Sequence, residues 1–161
     1  MMDSAKIPDC LQGCRLPPWE SLPDFGLYMD QMIPFVNRAF PEAGPYLELT
    51  PSMINNYVKA GLMDKPSGKK YSREALAQLM MLIQLKLTTP MDLMKVLLHP
   101  EENTDTERLY QQFSAHQDQM IRLFRQHADQ DPMMLALASS SLQLMLRLTQ
   151  AEEKNPSSPA D

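Results

Sequence analysis

The stretch that most constrains this chain is Leu49 to Tyr71, LTPSMINNYVKAGLMDKPSGKKY, because a helix start, a helix stop and a tight turn follow one another within it. Thr50 is placed to accept a backbone N–H as N-cap. Pro51 stands at the first helical position, where a missing N–H costs nothing, and Gly61 supplies a left-handed stop. These signals predict a helix over 51–60. At about 100° per residue, Met53, Ile54, Tyr57 and Val58 fall on one arc, and Ser52, Asn55, Asn56 and Lys59 on the other. The first arc suits a core. The second carries amides and a cation, groups that pair with adenine edges and phosphates in a DNA major groove. An ordinary solvated helix face is the bland reading of the same residues.

The order of elements after the helix favours the sharper reading. Lys65, Lys69 and Lys70 flank Pro66-Ser67-Gly68, a tight turn, and Tyr71-Ser72-Arg73-Glu74 then opens an apolar helix. Helix, basic turn, strand-like Lys70-Tyr71 and second helix is the layout of a winged helix-turn-helix.

On these residues the chain resembles known families. LTPSMINNYVKAGLM resembles the second helix of MerR-type regulators, with Thr50 as cap, Ile54 and Tyr57 inward, and Gly61-Leu62-Met63 leading into the wing. Lys70-Tyr71 resembles the basic-aromatic pair that ends a MerR wing. YMDQMI at 28–33, together with MINNYVKAGLM and KKYS, is similar to a bacterial family known only as domain of unknown function 1836. The resemblance covers about 28–98 and implies a mainly α fold: a MerR-like winged helix-turn-helix with a small β wing, followed by a C-terminal helical hairpin. It implies contact with double-stranded DNA through helix 51–60 and the basic wing 64–71. The residues assigned to that contact are Ser52, Asn55, Asn56, Lys59, Lys65, Lys69, Lys70, Tyr71 and Arg73. Asn55 stands where MerR proteins usually carry arginine, and the turn is several residues shorter than their wing.

The net charge of -5 runs against DNA binding until it is divided along the chain. Residues 1–49 sum to -4, residues 50–98 to +4 and residues 99–161 to -5. The positive charge therefore sits in the winged segment, and phosphate neutralisation depends on local cations.

A chain of 161 residues accommodates one compact domain or a small domain with an appended helical module. With 14 methionines and only 5 glycines, helices are favoured over hairpins. Four segments are expected: a proline-rich extended arm at 1–24 with Trp19 and Leu22 as packing residues, the winged domain at 25–98, a helical dimerisation or effector module at 99–150, and a disordered tail at 151–161. Within 27–40 the apolar set Tyr28, Met32, Phe35, Val36, Ala39 and Phe40 has helical spacing, and Pro34 predicts a kink or a start near Asp30. The run 73–87 is apolar nearly all round, which marks a helix buried between others. Thr89 as cap and Pro90 at the first helical position predict another helix start, with Leu93, Met94, Leu97 and Leu98 facing inward. A long helix capped by Asn103 or Thr104 is expected to about Ala128, and a last one over 132–150. That last helix has more apolar residues than one stripe needs, so it either closes the monomer or pairs with a second chain. By resemblance the homodimer is the expected state.

Catalytic constellations are missing from the sequence. His116 and His127 return to one side of a helix but are about 16 Å apart along it, too far to share a metal. Cys10 and Cys14 do not make a closed zinc site. Pro66-Ser67-Gly68-Lys69-Lys70 lacks the first glycine and the length of a phosphate loop. The expectation is a non-enzyme with no cofactor and no metal, located in the cytoplasm, since neither a signal peptide nor an apolar run of about 20 residues is visible. Two functions fit: a DNA-binding transcriptional regulator with room for a small-molecule or protein effector, and a non-catalytic adaptor. The adaptor would use the winged fold, or the methionine-rich surface of Met120, Met133, Met134 and Met145, to dock another protein.

Overall fold

The computed structural model of the chain describes residues 13–41, 48–86, 88–99 and 104–126, with the single positions 137 and 140. In chain order the elements are a 3-10 turn at Trp19–Ser21, β1 (Leu27–Tyr28), α1 (Met29–Ala39), α2 (Pro51–Lys59), β2 (Lys70–Tyr71), α3 (Arg73–Leu85), α4 (Met91–Leu98) and α5 (Thr106–Gln126). The fold is thus mainly helical with one small antiparallel sheet, as expected.

Among the described residues the most buried element is α3. Ser72 starts it, its Oγ accepting the Ala75 N–H at 3.2 Å, and every residue from Ala75 to Ile83 is buried. A helix apolar on all sides is stable only if neighbours cover each side, and α4, α5 and β2 all pack against it, α5 most extensively. Gln78, 3% exposed, is the one buried polar residue among those described.

The arm before β1 joins the same core. Leu16, Trp19 and Leu22 belong to one buried cluster with Met32, Ile54 and Tyr110. Trp19 lies edge-on to Tyr110 at 5.7 Å between centroids, and the Tyr110 hydroxyl donates to the Pro17 carbonyl at 2.8 Å. The backbone just upstream is held by amides. Gln84 and Gln117 both donate to the Cys14 carbonyl, at 2.9 and 2.8 Å, and Gln117 Oε1 accepts from the Leu16 N–H at 2.9 Å. An Arg15–Asp118 ion pair at 3.1 Å adds to this seam.

Several local expectations are corrected. Of the apolar set at 27–40, Tyr28 lies with Leu27 in a strand and not in the helix, whose start at Met29 is the start expected near Asp30. Tyr28 is 44% exposed and precedes α1, where its N–H donates to Gln31 Oε1 at 3.1 Å. α1 then runs from Met29 through Pro34 to Ala39. Pro90 is the N-cap of α4 and not its first residue, while Thr89 continues the previous turn by donating its N–H to Leu85 O at 2.8 Å. Leu97 faces solvent, and Leu93, Met94 and Leu98 alone make the inner face of α4. Asp105 caps α5, its carboxylate accepting from the Arg108 N–H at 3.2 Å, one residue after Thr104, while Asn103 lies outside the described residues. The expected last helix at 132–150, apart from positions 137 and 140, lies outside the described residues, as do the tail, Cys10 and His127.

Candidate nucleic-acid interface

α2 is built as its sequence dictates. Thr50 Oγ1 accepts the Met53 N–H at 3.3 Å, Pro51 occupies the first turn, and the helix ends at Lys59 with Ala60 as C-cap. Gly61 has φ +69°, the left-handed region that favours glycine. Its N–H donates to Val58 O at 3.1 Å and the Leu62 N–H donates to Tyr57 O at 3.0 Å, which satisfies the orphan carbonyls of the last turn as a Schellman motif. Leu62 and Tyr57 are both buried, so the apolar contact that accompanies this motif can form. Burial pushes the Tyr57 phenol pKa up.

The two arcs of α2 separate as predicted. Ile54 and Tyr57 are buried, with Met53 and Val58 half-buried, and Ser52, Asn55, Asn56 and Lys59 are all exposed.

The basic turn is short and closed at both ends. The Ser67 N–H donates to Lys70 O at 2.9 Å and the Lys70 N–H to Ser67 O at 3.1 Å, which leaves Gly68-Lys69 as a two-residue loop. Gly68 takes φ +62° at the first loop position, the position where a II′ hairpin turn needs glycine. At the entry to the turn, the Asp64 N–H donates to Gln78 Oε1 at 2.8 Å and Gln78 Nε2 donates to Asp64 Oδ2 at 3.1 Å. At the exit, β2 pairs with β1, Leu27 opposite Tyr71 and Tyr28 opposite Lys70. Lys65, Lys69 and Lys70 are therefore exposed on a segment fixed to α3 on one side and to β1 on the other. Lys70 places its ammonium 5.2 Å from the centroid of the Tyr28 ring.

Seven of the nine expected contact residues are exposed, and two are not. Tyr71 is 4% exposed and belongs to the core cluster, its phenol pKa raised by burial. Arg73 is half-buried, 3.5 Å from Asp24 and 5.7 Å from the Trp19 ring, with its Nε buried and without a hydrogen-bond partner. Among the described residues, no carboxylate lies within ion-pair distance of Lys59, Lys65, Lys69 or Lys70. His99, the C-cap of α4, lies 3.1 Å through Nε2 from the Leu62 carbonyl and so ties the end of α4 to the loop that leaves α2.

The model of the family described as domain of unknown function 1836 matches residues 17–120, which takes in the arm from Pro17, both strands and all of α1 to α4. The chain belongs to the DUF1836 family. No curated protein and no solved structure matches it. The DUF1836 match includes every residue of the exposed α2 arc and of the basic turn, and it also includes Gln78, Gln84 and Gln117, three amides absent from the expected site. The available signal for Gln78 was a lone polar residue inside the apolar run Ala75 to Ile83. Among the described residues of this DUF1836 chain, no group of three or more His, Cys, Asp or Glu is placed to hold a metal ion. No helix among them is long and apolar enough to cross a membrane.

Proposed function

We propose that the chain is a DNA-binding transcriptional regulator of MerR-like winged helix-turn-helix type. Ser52, Asn55 and Asn56 would approach base edges, Lys59 the backbone, and Lys65, Lys69 and Lys70 the phosphates beside the turn. One observation carries this reading: the polar arc of α2 is exposed along its whole length, and the next exposed cations in the chain have no ion-pair partner among the described residues. Amides with two-sided hydrogen bonding suit adenine edges, and unneutralised lysines on a fixed turn suit phosphates. The order β1, α1, α2, basic turn, β2, α3 is compatible with a winged head. Two copies would present two such heads, so a two-fold symmetric site is the expected target.

Enrichment of a random duplex library on the purified full chain tests the proposal. Recovery of a defined motif, lost when Asn55 and Asn56 are both changed to alanine, supports it. Absence of duplex binding at low salt counts against it.

The adaptor reading is favoured by different residues. Met91, Val96 and Leu97 on α4 and Met120 and Leu123 on α5 are exposed apolar side chains. Beside Met120 lies a hollow of about 320 Å³ lined by Gln84, Leu85, Phe113, His116 and Gln117. Met120 is the described member of the methionine-rich surface expected from sequence, since Met133, Met134 and Met145 lie outside the described residues. Co-purification of a stoichiometric partner, lost on Met120→Glu, would favour that reading over DNA.

A further inference from the structure

Phe25 is the most exposed of the large apolar side chains among the described residues, at 70%, yet the backbone on both sides of it is fixed. Asp24 before it pairs with Arg73 at 3.5 Å, and Arg73 is itself half-buried against Trp19. Gly26 after it takes φ +71°, and a Cβ there would meet Lys70 Cβ and Tyr71 O at 3.4 Å. Leu27 then enters the sheet opposite Tyr71 and is 6% exposed. The ring is therefore presented at an anchored bend and not on a free end. Ordering it against a ligand costs little backbone entropy.

Beyond the Asp24–Arg73 pair, the side of the bend towards the basic turn carries unpaired cations. Gly26 leaves room for the stem of Lys70, which crosses it on the way to the Tyr28 ring 5.2 Å from its ammonium. Tyr28 is itself 44% exposed. The outer side of the small sheet thus carries Tyr28 and Lys70, with Phe25 at its edge and Lys69 in the adjoining loop. Two exposed aromatic side chains on one short segment next to unneutralised lysines are complementary to a polyanion that also offers flat apolar surface. Nucleic acid offers both, through phosphates and through sugar and base faces.

We infer that Phe25 makes an apolar contact with the sugars or bases of duplex DNA while Lys69 and Lys70 take the adjacent phosphates. This inference rests on the DNA-binding reading and extends the interface from α2 and the basic turn to the bend before β1.

Salt dependence separates the two kinds of contact, because a phosphate contact releases counterions and an apolar one does not. The experiment measures affinity of the full chain for its selected duplex across a salt series, for wild type, Phe25→Ala and Phe25→Trp. Phe25→Ala is expected to bind about tenfold more weakly, the worth of burying one aromatic ring, with the slope of log affinity against log salt unchanged. Phe25→Trp is expected to restore the affinity. Because Phe25 is exposed, the unfolding midpoint of either variant should equal that of wild type. Wild-type affinity in Phe25→Ala would overturn the inference and leave the DNA-binding reading standing. Failure of wild type to bind any duplex would overturn both.

Discussion

Gln78 and Asp64 are joined twice, the Asp64 N–H donating to Gln78 Oε1 at 2.8 Å and Gln78 Nε2 donating to Asp64 Oδ2 at 3.1 Å. The only buried polar side chain described thus holds the entry of the basic turn on the central helix. Gln78→Leu removes both bonds and leaves the Asp64 N–H without its partner. It should cost about 1–3 kcal/mol of stability, read from the urea unfolding midpoint. Asp64→Asn keeps an acceptor for Gln78 Nε2 and should cost clearly less.

Gly61→Ala should destabilise by about 1 kcal/mol. The cause is conformational, since φ is +69° and the nearest atom to an added Cβ is Lys95 Nζ at 3.8 Å. Circular dichroism during urea unfolding should show the lower midpoint with the native spectrum unchanged. Equal stability would mean that the helix does not end in a left-handed residue.

Trp19→Ala tests whether the proline-rich arm belongs to the core. Trp19 is 7% exposed, lies edge-on to Tyr110 at 5.7 Å and has the Arg73 guanidinium 5.7 Å from its ring. Truncation should cost about 3–5 kcal/mol, in the range for a buried aromatic. A loss below about 1 kcal/mol would place the arm outside the cooperative unit.

Those three sites differ in how far the sequence announced them. The α2 segment was legible because its signals are local: Thr50, Pro51 and Gly61 act on the backbone next to them, and the spacing of Ile54 and Tyr57 fixes which arc is buried. The burial of α3 was legible from an apolar run with no polar side. The seam of Gln84 and Gln117 on the Cys14 carbonyl was not, because it joins residues about 70 and 100 positions apart and glutamine has no pattern that names a distant partner. Tyr71 and Arg73 were assigned to the interface from their place in a basic-aromatic string. Strand pairing turns Tyr71 into the core, and Asp24 with Trp19 holds Arg73 at the arm. Phe25 was missed because nothing in its neighbours' composition marks it as exposed.

Alkaline pH should weaken the fold. Burial raises the pKa of Tyr110 most, and of Tyr57 and Tyr71, above the ordinary value of 10.0. Each native phenol therefore stays neutral where the unfolded one ionises. The stabilisation is complete below about pH 10 and is lost as pH rises through the native values. Lys86, whose pKa is lowered by burial and partly restored by Glu48, works in the opposite sense, but it is one group against three. Urea midpoints between about pH 8 and about pH 11.5 should be flat at first and then fall, with phenolate absorbance appearing on unfolding. A midpoint that rises above about pH 10 would contradict the burial of these rings.

The most direct test of DNA binding is the salt dependence of duplex affinity for wild type and for the double change Lys69→Glu and Lys70→Glu. If both lysines meet phosphates, wild-type log affinity should fall linearly with log salt. The double variant should then bind more weakly with a slope shallower by about 2, close to 0.9 for each contact removed. Equal affinity and an equal slope in the two proteins would contradict the assignment of the basic turn to DNA.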